Sequence, residues 1–186
     1  MLFSKLFAAG EDGLSDDEIR CEAQAYIVAG SDTTATSLTY LVWAVCRDMK
    51  VKQALLSELM SLPEDFGDSD LRQLPYLNAV IDETLRIHNA APSGLPRVVP
   101  AGGSTLAGYF IPGDTIVSTQ SWTLHRDPLV FPRPELFDPS RWLEATKAMR
   151  DRAMPFGGGS RGMNSHPLFN FFIYLNMAPD LLSLYR

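Results

Sequence analysis

The sequence predicts a mainly α domain that carries a small β element, and three observations predict it. No proline interrupts the run from Ser15 to Cys46. Two later stretches repeat apolar residues at helical spacing. Between Arg97 and Val117, short β-branched and aromatic runs alternate with glycine and proline breaks. A chain of 186 residues, 46% hydrophobic and 20% charged, has the make-up of one ordinary globular domain. Its formal net charge of -6 argues against a nucleic-acid partner, which requires a basic footprint.

The first helix starts at Ser15-Asp16-Asp17-Glu18, where Ser15 caps the first turn and Glu18 completes a capping box. The two aspartates suit the positive end of the helix dipole. The helix continues for about 30 residues, or about 45 Å. Ile19, Ala23, Tyr26, Ile27, Val28, Leu38, Leu41, Val42 and Val45 make it apolar nearly all round, so it is expected to run through a core. Exposed, such a helix favours aggregation, and a well-dispersed monomeric NMR spectrum would count against that expectation. Cys21 and Cys46 both lie on it, too far apart to bridge, which favours a reducing compartment. In its middle, Ala29-Gly30-Ser31-Asp32-Thr33-Thr34-Ala35-Thr36 gives up helix propensity. Two readings fit: hydroxyls that back-bond to preceding carbonyls, or a groove at a disturbed helix ladder where Asp32 and Thr33 handle protons.

A second helix spans about Asp48 to Met60, with Val51, Leu55, Leu56 and Leu59 inward, and Pro63 to Ser69 reads as a polar loop. A third runs from Pro75 through Ile87, with proline at its first position and Leu77, Val80, Ile81, Thr84 and Leu85 on one face. Glu83 and Arg86 share a face, and by spacing alone they are a surface pair worth less than about 1 kcal/mol. Arg97-Val98-Val99, Ser104-Thr105-Leu106, Tyr109-Phe110-Ile111 and Thr115-Ile116-Val117 read as strands. Ser121 to Asp127 is a short helix stopped by Pro128, and the proline-rich stretch that follows is an extended meander closed by Ser140-Arg141-Trp142.

After the meander comes Met154-Pro155-Phe156-Gly157-Gly158-Gly159-Ser160-Arg161-Gly162, a loop suited to close backbone approach to a flat or anionic ligand. It is not a nucleotide phosphate cradle: the glycines open no βαβ unit and no Lys-Ser/Thr follows. Individually these motifs are weak. In order, Ala29-Gly30-Ser31-Asp32-Thr33-Thr34, Glu83-Thr84-Leu85-Arg86, Pro134-Glu135-Leu136-Phe137-Asp138-Pro139-Ser140-Arg141-Trp142 and the glycine loop resemble the cytochrome P450 (heme-thiolate monooxygenase) family over residues 1–162.

The resemblance implies a partial cytochrome P450 fold and a role for each matching residue. Glu83, Arg86 and Arg141 resemble the family's buried structural triad, which locks the meander onto the helix behind the heme. Asp32 and Thr33 resemble the acid–alcohol pair that relays protons during dioxygen activation. Arg97 and Arg161 resemble the partners of the heme propionates, since guanidinium forks suit carboxylates. Phe156 and Gly159 match the aromatic and glycine of the heme loop. Heme is the implied cofactor. An apolar small molecule and an electron-donating reductase are the implied partners, with no membrane segment in this chain, although family members are often attached through an N-terminal one.

The pattern departs at one position. The family's loop reads Phe-x-x-Gly-x-Arg-x-Cys-x-Gly, and its cysteine is the axial iron ligand; here that position is Met163, and Ser165 replaces the last glycine. No metal ligand is therefore assigned, and Met163 or His166 stands as the minor alternative. Residues 163–186 are expected to lie outside the family-like domain as a disordered or aberrant tail, and the chain to carry less than half of a family member. A retained intron would explain the change of texture if Gly162 is encoded GGT, which transcript sequencing decides. Two function classes follow: a monooxygenase at family level, or a non-catalytic truncated fragment that binds heme weakly or not at all. The second is favoured for the chain taken literally.

Overall fold

The computed structural model describes residues 15–158. Helix α1, Asp16–Arg47, has the capping box that its first residues predict: the Ser15 amide donates to Glu18 Oε2 at 2.8 Å, and the Glu18 amide donates back to Ser15 Oγ at 3.3 Å. These Ser15 hydrogen bonds hold the Glu18 carboxyl below its ordinary range. The helix is continuous through its polar middle, where Ser31, Thr33, Thr34 and Thr39 donate to the carbonyls of Ile27, Ala29, Gly30 and Ala35.

The expected burial of α1 along its length is not found. Ile19, Ser37, Leu41, Ala44 and Val45 are buried, whereas Tyr26, Ile27 and Val28 are all more than half exposed. Among the described residues, the helices that pack on α1 are α2, Met49–Leu59, and α4, Pro75–Ile87, and they share a core with its C-terminal part. Cys21 and Cys46 are exposed and unbridged.

Asp48 makes the α1–α2 corner. Its backbone is extended, which stops α1, and its side chain accepts from the amides of Lys50 and Val51 to start α2. All four predicted inward residues of α2 are buried. Helix α3, Asp68–Arg72, replaces the C-terminal part of the expected loop. It is one turn, too short for periodicity to betray, held by the Gly67 amide donating to Asp70 and by an Arg72–Asp68 pair at 2.6 Å.

Helix α4 has the predicted bounds, and Leu77, Val80, Ile81, Thr84 and Leu85 are all buried. Its first turn has no capping side chain of its own. Glu58 of α2 supplies one, accepting from the amides of Tyr76 and Leu77 at 2.8 Å each. A carboxylate at a helix N-terminus also meets the positive end of the dipole, so this contact fixes α4 against α2.

The strands form two separate antiparallel pairs. Strands β1, Leu95–Val98, and β4, Ile116–Thr119, pair with Arg97 opposite Val117. Between them, β2, Ser104–Leu106, and β3, Tyr109–Ile111, form a hairpin. Its turn residues Ala107 and Gly108 both have positive φ, the geometry of a two-residue hairpin turn. The outer strands are shifted by one or two residues from the sequence reading because register is set by the partner strand.

Beyond the sheets, α5 covers only Ser121–Leu124, shorter than expected, and the meander closes in a 3-10 turn, Pro139–Trp142. Helix α6, Lys147–Arg152, was not legible from pattern; Thr146 caps it through the Met149 amide. Among the described residues no helix is long and apolar enough to cross a membrane.

The core where α1, α2, α3 and α4 meet includes Leu77, which has no solvent exposure. Truncating it leaves a cavity, so Leu77→Ala is expected to cost about 2–5 kcal/mol in urea denaturation, whereas an exposed α1 position such as Ile27→Ala costs less than about 0.5 kcal/mol.

Candidate functional site

The site begins at the buried face of α4. Glu83 and Arg86 have no side-chain exposure, so the surface pair suggested by spacing is a core pair. Their contact is bidentate: Arg86 Nε donates to Glu83 Oε2 and Nη2 to Oε1, both at 2.8 Å. Arg141 adds its Nε to Oε1 at 3.0 Å, the Trp142 indole N–H donates to Oε2 at 2.9 Å, and the Asp138 amide donates to Oε1 at 2.9 Å. The remaining Arg86 N–H groups go to the carbonyls of His125, Pro134 and Leu136. A guanidinium has five N–H donors, and here each has an acceptor. Arg86 also lies over the Phe131 ring, 5.1 Å from its centroid.

The charge cluster therefore grips the meander by its backbone carbonyls, at both ends and in the middle. Arg141 adds Pro132 O and Leu136 O. The meander in turn delivers the chain to α6 and to residues 153–158.

Those residues wall two cavities. The larger, about 570 Å³, is lined by Leu95 and Arg97 of β1, Thr119 of β4, Leu124 of α5 and Met154 to Gly158. Gly157 turns there with φ 76°, a conformation that disfavours any side chain. The smaller, about 240 Å³, shares Met154 to Gly157 and adds Asp82, Leu85, Arg86 and Trp142. The larger cavity lies within the roughly 300–1,000 Å³ typical of ligand and cofactor sites. Leu95, Leu124, Met154 and Phe156 offer an apolar wall, and the exposed guanidinium of Arg97 sits on its edge, with Nη1 donating to Pro96 O at 2.9 Å. A flat apolar ligand with an anionic edge fits these residues.

The structure thus brings Glu83, Arg86 and Arg141 into one cluster, and Arg97 and Phe156 into one cavity. Asp32 and Thr33 are on α1, exposed and half-buried respectively, and line neither cavity. Gly159, Arg161, Met163 and His166 lie outside the described residues.

Sequence reasoning missed three residues. Trp142 sits inside a motif, but nothing in its spacing says that it donates to Glu83. His125 is 1% exposed, and its ring lies between Arg86 O and the Met154 amide, 2.9 Å from each. Burial, helped by the Arg86 and Arg126 cations, pushes its pKa down to about 4. Asp82 faces the smaller cavity, and burial followed by the charge of Glu83 pushes its pKa up to about 6. The signal that could have found it is its position next to Glu83, a like charge on the same buried helix.

Comparisons with known proteins show the family to which the chain belongs. The family model described as Cytochrome P450 matches residues 1–162. The cytochrome P450 monooxygenase orf2 of Aspergillus niger is 56% identical over 160 residues, covering 86% of this chain and 32% of its own length. The cytochrome P450 monooxygenase tazI of Aspergillus terreus is 59% identical over 152 residues, 81% of this chain and 31% of the relative. The cytochrome P450 monooxygenase azaI of Aspergillus niger is 50% identical over 181 residues, 86% of this chain and 38% of the relative. The chain spans about a third of the length of these relatives.

Two outcomes follow for the site. Removing one partner of a buried ion pair strands the other, so Arg86→Leu is expected to cost about 3–5 kcal/mol in denaturant unfolding. The two shifted groups oppose each other in pH. The Asp82 carboxyl is raised in the folded chain, so its contribution is present below about pH 4 and is lost as pH rises through about 6. His125 is depressed, so its contribution is present above the ordinary histidine range and is lost as pH falls through about 4. Asp82→Asn removes the first and leaves the second. Its stability should therefore climb more steeply between pH 4 and 6 than that of the wild type, as read by unfolding midpoints across that range.

Proposed function

Because the chain belongs to the cytochrome P450 family, we propose that it carries the heme-pocket portion of a monooxygenase that inserts one oxygen atom into an apolar organic substrate. The observation that carries this reading is the placement of Arg97 and Phe156 on one cavity whose 154–158 wall is tied through His125 to the buried Glu83–Arg86–Arg141 cluster. A heme there would supply a redox-active iron for dioxygen activation. The protein's own residues do the rest. Leu95, Leu124 and Phe156 would hold a heme by apolar contact and keep water from it. Arg97 would pair with one propionate, and Arg161 is assigned to the other.

Asp32 and Thr33 are assigned the proton relay. Thr33 donates its hydroxyl hydrogen to Ala29 O at 2.8 Å, which leaves oxygen lone pairs to accept a proton. Asp32 is exposed, and its contact is with the Ser31 hydroxyl at 3.2 Å. Electrons come from a reductase in this proposal.

A second reading rests on one residue. Met163 stands where the family pattern places the axial cysteine. A thioether is neutral and does not push electron density onto iron as a thiolate does. Cys21 and Cys46 are on α1, apart from both cavities. By itself this chain is then catalytically silent, with heme affinity supplied by the pocket alone.

The test is spectroscopic. Hemin is titrated into the full chain, reduced, and exposed to carbon monoxide. The expected spectrum lacks the red-shifted Soret band of thiolate-ligated heme, and Met163→Cys is expected to produce it. A red-shifted band in the wild type would refute the loss of thiolate ligation. In the same titration Arg97→Leu should weaken hemin binding about tenfold, the worth of one charge-assisted hydrogen bond at its lower end.

A further inference from the structure

We propose that His125 is a positioning residue for the heme loop: its imidazole joins the first amide of that loop to the last turn of α4, so that charge cluster and cavity wall move as one body. The argument begins with hydrogen-bond polarity. The Met154 partner is a backbone N–H, so His125 Nε2 must accept. The other ring nitrogen faces the Arg86 carbonyl, so Nδ1 must carry the hydrogen and donate. Both bonds are satisfied by one neutral tautomer and by no other protonation state.

The link to Arg86 is reciprocal. The His125 side chain donates to the Arg86 carbonyl at 2.9 Å, while the Arg86 guanidinium donates to the His125 carbonyl at 2.8 Å. His125 is fixed at its own backbone as well, since its amide donates to Ser121 O at 2.8 Å. His125 is thus held at its ring Nδ1, its carbonyl and its amide before its Nε2 meets Met154.

Met154 is the residue where this matters. It lines both cavities, and it precedes Pro155, which has no amide to offer. Its amide is the last backbone donor before Phe156. Anchoring that amide sets the direction in which Phe156 and Gly157 enter the larger cavity. Burial keeps the ring neutral at ordinary pH, so the acceptor is always available. That this wall belongs to a heme pocket rests on the function proposed above; the hydrogen-bonded link does not.

The experiment compares His125→Asn with His125→Gln in the full chain, by amide hydrogen exchange and hemin titration. An asparagine amide reaches the Nδ1 position and keeps the bond to Arg86 but loses the acceptor for Met154. A glutamine amide reaches the Nε2 position and keeps that acceptor. The expected result is Met154 exchange roughly tenfold faster in the asparagine variant, with α4 amides unchanged, near-wild-type exchange in the glutamine variant, and weaker hemin binding in the asparagine variant only. Equal behaviour of the two variants, or equal acceleration at Met154 and along α4, overturns the proposal.

If either variant fails to fold, imidazole nitrogen shifts of the wild type decide. The Nδ1–H tautomer supports the link, and the Nε2–H tautomer or an imidazolium at pH 6 overturns it. If the wild type takes up no hemin, the heme reading falls, while Met154 exchange still upholds or overturns the link.

Discussion

Glu83 is a carboxylate with no solvent exposure, and the fold around it is a solution to that cost. Removing a charge from water is expensive unless every lone pair is paired again. Two guanidiniums, an indole N–H and a backbone amide do so here. They come from α4 itself, from the meander and from the 3-10 turn, so the cluster cannot be complete unless all three are in place. A hydrophobic contact tolerates small displacements; a fully satisfied ionic cluster does not. That is the physical reason an otherwise irregular, proline-rich stretch has one conformation.

The cluster also explains why the cavity wall is where it is. Arg86 is at once the partner of Glu83 and, through its backbone carbonyl and guanidinium, the partner of His125. His125 holds Met154, and Met154 begins the segment that lines both cavities. The half-buried wall at residues 154–157 is thereby referred to a helix whose N-terminus is itself pinned by Glu58. Asp82 shows the local cost of the arrangement, a carboxyl beside Glu83 with its titration displaced upward.

Helix α1 follows a different logic. Its composition is that of a helix surrounded by protein, and among the described residues α2 and α4 share a core with its C-terminal part. Its hydroxyl-bearing middle is satisfied locally by back-bonding, which keeps the helix continuous through residues of low helix propensity.

The sequence by itself determined the three long helices and the family. The Ser15–Glu18 box, Pro75 at the first turn of α4 and the apolar periodicities of α2 and α4 are local signals, and local signals survive in one dimension. The four motifs and their order named the family for the same reason. What only the tertiary structure decided depends on groups far apart in the chain. Spacing makes Glu83 and Arg86 a surface pair, and only the meander folded over them makes them a core pair. Strand register was decided by the partner strand, and α3 and α6 are too short for a period to form. His125 and Trp142 acquire roles only when residues 29 and 59 positions away arrive beside them, because a side chain's hydrogen-bond partner across such distances is set by the fold and leaves no periodic trace.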